Sequence, residues 1–77
     1  MSWFSAEISQ RNRKWCLHLI ENEDTSWGFV LFDQMIEWVD EKLLYRKDVK
    51  RMSYDMWYFD AKTEAEKFLV ITTLKWL

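Results

Sequence analysis

The chain has 77 residues and a mass of 9.6 kDa, which suits one domain over 1–77 and excludes two independent cores. Hydrophobic residues make up 49% and charged residues 31%, Gly occurs once and Pro is absent, so a disordered, linker-rich or collagen-like chain is excluded. One Cys excludes an internal disulfide framework, one His excludes the two-His metal motifs, and a net charge of −2 argues against a general nucleic-acid binder.

Trp3 to Ile8 alternates and reads as a strand with Phe4, Ala6 and Ile8 on one face. Ser9 to Arg13 is a polar connector, short enough for an antiparallel hairpin. Lys14 to Glu21 is a second strand, with Trp15, Leu17 and Leu19 on one face and Cys16, His18 and Ile20 on the other. Both of its faces are mostly apolar, which predicts an interior position. Asn22 to Thr25 is a turn by composition.

From Trp27 to Leu44, the residues Phe32, Met35, Ile36, Val39 and Leu43 recur at helical spacings, and Asp33, Glu37, Asp40 and Glu41 form a more polar side. Thr25 or Ser26 is the candidate cap. A strand over Gly28 to Phe32 followed by a shorter helix is the alternative, and the longer helix is preferred. Tyr45 to Met52 reads as a basic connector and Tyr54 to Phe59 as a third strand. Asp60 is placed to cap a second helix carrying Ala61, Ala65, Phe68 and Leu69. The β-branched run Val70-Ile71-Thr72-Thr73 predicts a last strand through Trp76. The expected fold is α+β in the order β-β-α-β-α-β, a small antiparallel or mixed sheet with two helices on one face.

Charge is segregated along the chain. Residues 42–51 hold five bases (Lys42, Arg46, Lys47, Lys50 and Arg51) against one acid, Asp48, while residues 1–41 hold eight acids and three bases. The basic stretch suits phosphate or an acidic partner surface, and helical turns through it would align Arg46 with Lys50 and Lys47 with Arg51. Tyr45 and Tyr54 flank it. The expected partner-binding residues are therefore Tyr45, Arg46, Lys47, Lys50, Arg51 and Tyr54. Six Trp, five Phe and three Tyr are many for so small an interior, so a cluster of rings is expected at the surface.

Cys16 and His18 would share one strand face, either as two ligands of an incomplete metal site or as a nucleophile with a base. A buried thiol beside a satisfied imidazole is the preferred reading, because free Cys mostly behaves as a small hydrophobe. The acids of the first helix read as a solvated face. No phosphate-cradling Gly-rich motif can be built from one Gly. No catalytic residue, metal or cofactor is expected, and the chain reads as a binding module rather than an enzyme.

The segment Trp57-Tyr58-Phe59-Asp60-Ala61-Lys62-Thr63-Glu64-Ala65-Glu66-Lys67-Phe68, closing with Leu74-Lys75-Trp76, resembles short accessory proteins of T-even-type tailed phages. The likeness covers about the last quarter of the chain. It implies a small phage-encoded protein that binds a host protein, such as a defence complex, and inhibits or redirects it. No functional residue transfers with it. The alternative function is an oligomer that sequesters a nucleotide or other phosphorylated small ligand.

No apolar run reaches the ~18 residues of a membrane span, and Met1-Ser2-Trp3-Phe4-Ser5 lacks the basic region and apolar core of a signal peptide. The single free thiol fits a reducing compartment, so the expected location is the cytoplasm, that of the host cell for a phage protein. A small chain with no disulfide gains core by pairing, so a homodimer or higher oligomer is expected.

Overall fold

The computed structural model describes residues 3–22 and 26–77, and for residues 26–29 the backbone alone. Six elements run in the order β1 (Phe4–Arg11), β2 (Lys14–Glu21), α1 (Ser26–Leu43), β3 (Val49–Ser53), β4 (Met56–Phe59) and α2 (Lys62–Trp76). The strands form one antiparallel sheet ordered β1-β2-β4-β3. The fold is α+β, as the sequence indicates, but its order is β-β-α-β-β-α.

The β1–β2 hairpin turns on two residues, Asn12 and Arg13, with φ of 51° and 66°. Two consecutive left-handed residues match the right-handed twist of the flanking strands, which is why this turn type dominates tight hairpins. Pairing runs from Arg11↔Lys14 to Phe4↔Glu21. On its other side β2 pairs with β4, Leu17 opposite Trp57. That interior position accounts for the apolar residues on both faces of β2.

One sheet face carries the core. Phe4 of β1, Leu17 and Leu19 of β2, and Trp57 and Phe59 of β4 pack with Phe32, Met35, Ile36, Val39 and Leu43 of α1 and with Ala65 and Phe68 of α2. The helix predicted over Trp27 to Leu44 therefore forms and buries the stripe that announces it, and the strand alternative over 28–32 does not. The candidate cap Thr25 and most of the turn before it lie outside the described residues, and Ser26 is the first residue of α1 rather than its cap. Trp3 closes one corner, its indole Nε1–H donating to the Trp76 carbonyl at 3.2 Å.

Five expectations are corrected. The polar connector expected over Ser9 to Arg13 is mostly strand, because β1 runs on to Arg11 and the turn is Asn12 and Arg13 alone. The predicted last strand, Val70 to Trp76, is the second half of α2. Leu69, Thr72 and Trp76 continue the spacing of Ala65 and Phe68, and Thr72 is fully buried. Packing of that stripe outweighs the strand preference of a β-branched run, which is worth only tenths of a kcal/mol per residue. The basic connector is half strand, because Val49–Ser53 is the edge strand β3, with an irregularity between Arg51 and Ser53. Tyr54 and Asp55 are the β3–β4 turn rather than the start of a strand. The N-cap of α2 is Ala61, with no side-chain cap hydrogen bond, and Asp60 pairs with Lys14 instead.

Candidate functional site

The sheet face turned away from the helices carries the even-numbered side chains of β2 and β4. In register across it, Ser9, Cys16, Tyr58 and Lys50 form one row and Glu7, His18 and Met56 the next. At the end of this face nearest Lys14, a cleft of about 210 Å³ is lined by Lys14, Lys47, Asp48, Val49, Lys50, Tyr58 and Asp60. Two separated chain segments supply its lysines: Lys14 starts β2, while Lys47 and Lys50 lie together where the α1–β3 loop runs into β3.

The carboxylates of the cleft are committed. Asp60 pairs with Lys14. Asp48 accepts two hydrogen bonds from Arg46, at 2.9 and 2.7 Å, in a bidentate fork. That fork, more than any other cause, holds the Asp48 carboxyl below its usual range. Lys47 and Lys50 have no ion-pair partner among the described residues. The cleft therefore presents two unneutralised ammonium groups beside the half-buried Tyr58 ring.

The six predicted binding residues divide into two sets. Arg46 is internal scaffolding: it also donates to Glu64 at 2.9 Å, and its guanidinium lies 5.7 Å from the Phe59 ring centroid. Arg51 is scaffolding too. It pairs with Asp40 of α1 at 3.1 Å, donates to the Ser53 and Tyr54 carbonyls, and lies 5.2 Å from the Trp57 ring centroid. The Tyr54 hydroxyl donates to Asp33. Partial burial first, and then that bond, push its pKa up to about 12. Lys47, Lys50 and Tyr45, which is 90% exposed, remain available to a partner. The two parallel rows expected from helical turns do not exist, because strand alternation sends Lys50 and Arg51 to opposite sides of the sheet.

Lys14 and Tyr58 are the cleft residues that sequence reasoning missed. Alternation marks Lys14 as a neighbour of the Cys16 face, but only the β2–β4 register brings it near Tyr58 and Lys50. The predicted acidic face is likewise divided: Asp33 and Asp40 are tied to Tyr54 and Arg51, whereas Glu37 and Glu41 stay exposed.

Cys16 and His18 do share a face, and a third group joins them. The His18 ring Nε2 lies 3.1 Å from Asp55 Oδ2, and Asp55 is fixed by Ser53 Oγ donating to its Oδ1. The resemblance to a Cys–His–Asp constellation ends at the sulfur. Cys16 is fully buried, and burial pushes its thiol pKa up, away from the thiolate a nucleophile needs. Among the described residues, no group of three or more His, Cys, Asp or Glu side chains is arranged to hold a metal, and no helix is long and apolar enough to cross a membrane. Among the described residues, Trp57, Phe4, Phe32, Phe59 and Phe68 are buried, Trp3, Trp15, Trp38, Tyr58 and Trp76 are half-buried, and apart from Tyr45 and Tyr54 the exposed large apolar residues are aliphatic or Met.

The chain matches no protein-family model, and neither a curated protein nor a solved structure matches it.

Proposed function

We propose that the protein is a small non-catalytic binding module that engages an acidic surface of a partner protein through the cleft at Lys14, Lys47, Lys50 and Tyr58, with Tyr45 as an anchor at the rim. The observation that carries the reading is the convergence of Lys14 with Lys47 and Lys50, the latter two without an ion-pair partner among the described residues, on a sheet face that neither helix covers. Binding by occlusion needs no chemistry, and the nearby Cys16 thiol is buried, with its pKa raised by that burial. The phage resemblance adds that the partner is a host protein, such as a defence complex, which the module inhibits or redirects. A second reading is favoured by the cleft volume of about 210 Å³: sequestration of a phosphorylated small ligand by the same lysines.

A tagged pull-down from nuclease-treated bacterial lysate tests the first reading. One stoichiometric protein is expected with the native chain, and at least a tenfold weaker complex with the Lys47→Glu, Lys50→Glu double variant. Undiminished capture by the double variant would reject the site. A thermal-shift screen with nucleotides addresses the second reading, which predicts stabilisation that the same double variant abolishes.

A further inference from the structure

The outer side of α2 is apolar where a solvated helix would be polar. Val70, Ile71, Leu74 and Leu77 are 53%, 54%, 80% and 69% exposed. The first three follow helical spacing on the side opposite the buried Ala65, Phe68 and Thr72. Beside them, Trp38, Lys42, Leu43, Arg46, Phe68 and Ile71 line a groove of about 200 Å³ between α1 and α2. A contiguous apolar patch of this kind marks an interface on a soluble chain.

The charges around the patch say what covers it. On α1, Glu37 and Glu41 are exposed and have no ion-pair partner among the described residues. On α2, Lys67 pairs only within its own helix, with Glu64 at 3.3 Å, and Lys75 has no ion pair among the described residues, its ammonium lying 6.0 Å from the Trp76 ring centroid. Apart from Lys42 at the groove on α1 and Glu66 on α2, both exposed and without an ion pair among the described residues, the outward charges of α1 are acidic and those of α2 basic. A second copy packed face to face about a two-fold axis along the helices sets each α1 over the partner's α2. That arrangement satisfies both charge sets twice and seats an apolar side chain against each groove. Helices of 18 and 15 residues give a face of roughly 500 Å² in projection, the scale of the ~800 Å² of accessible surface per partner in a stable interface.

We propose that the protein is an isologous homodimer joined through its helix layer, with Leu74 of each copy entering the α1–α2 groove of the other and Glu37 and Glu41 meeting Lys67 and Lys75 across the axis. The cleft lies on the opposite sheet face and stays open, so the dimer is a bivalent display of it. The inference does not rest on the function proposed for the cleft.

Sedimentation equilibrium on the full chain is expected to give twice the 9.6 kDa chain mass at micromolar concentration. Leu74→Glu should give a monomer with an unchanged circular dichroism spectrum, because the side chain lies outside the core. A Glu37→Lys, Glu41→Lys variant and a Lys67→Glu, Lys75→Glu variant should each dissociate at least tenfold more readily than the native dimer. Mixed one to one, they should form a heterodimer, since each now complements the other. A native monomer, a dimer untouched by Leu74→Glu, or two charge variants that fail to recover in mixture would each overturn the proposal.

Discussion

Arg46 holds Asp48 at 2.7 Å and Glu64 at 2.9 Å, so one guanidinium joins the α1–β3 loop to the first turn of α2. Lys47, next in sequence, holds nothing within the described residues. Local charge density does not separate two such neighbours, because the difference lies in which carboxylates the fold brings within reach. Hydrogen bonding to Arg46 is the largest cause that lowers the pKa of both Asp48 and Glu64. Their pairs therefore stabilise the fold above the ordinary carboxylate range of ~4, and that contribution disappears as pH falls through the lowered folded values. Arg46→Ala should lower the melting temperature by a few degrees at neutral pH and flatten its acid limb, whereas Lys47→Glu should do neither. Thermal scans from pH 7 to pH 3 check both. Tyr54 behaves in the opposite sense. With its folded pKa raised to about 12, its contribution is complete below the unfolded value of ~10 and is lost as pH rises towards the folded one. Ultraviolet titration of the phenols should show one late-ionising tyrosine, absent in Tyr54→Phe, and the alkaline loss of stability should shrink with it.

The β1–β2 hairpin shows how a few residues set an element. Asn12 tolerates a left-handed backbone. Arg13 carries a Cβ into it at φ 66°, which costs about 1 kcal/mol. Arg13→Gly should raise unfolding stability by about 0.5–1 kcal/mol, measured by urea titration. An unchanged midpoint would mean the turn is not the one described. The antiparallel pairing of the first two strands and the α1 stripe were legible in the sequence, since each depends on spacing within one segment, but the two-residue turn was not: Ser9 to Arg11 read as connector and are strand. The second half of α2 was not. Val70 to Thr73 read as strand by side-chain shape, and nothing local reveals that Thr72 and Trp76 face a sheet. β3 was hidden for a similar reason: Lys50 and Arg51 look alike as charges, and only pairing with β4 gives them opposite faces.

At the scale of the molecule, the central strands β2 and β4 carry fully buried residues, including Leu17, Trp57 and Phe59. Cys16 sits among them as a built-in reporter. Because its thiol is buried and its pKa raised by burial, a maleimide should label it only through opening of the central strands. Its labelling rate should fall with the global unfolding equilibrium as the protein is stabilised. Rapid labelling in the native state would show that the open sheet face is not closed over the sulfur. Leu17→Ala, which opens a cavity costing about 2–5 kcal/mol, should speed the labelling sharply.

Composition and periodicity alone determined an α+β fold with an amphipathic first helix and an interior second strand. Both signals are carried by neighbours in sequence, where backbone geometry fixes which side chains share a face. Tertiary structure alone decided that the last segment is helix, that Arg46 and Arg51 are scaffolding, and that Lys14 and Tyr58 join Lys47 and Lys50 in one cleft. Those outcomes depend on register and on long-range ion pairs. Their energies come from groups far apart in the chain, and no local pattern encodes them.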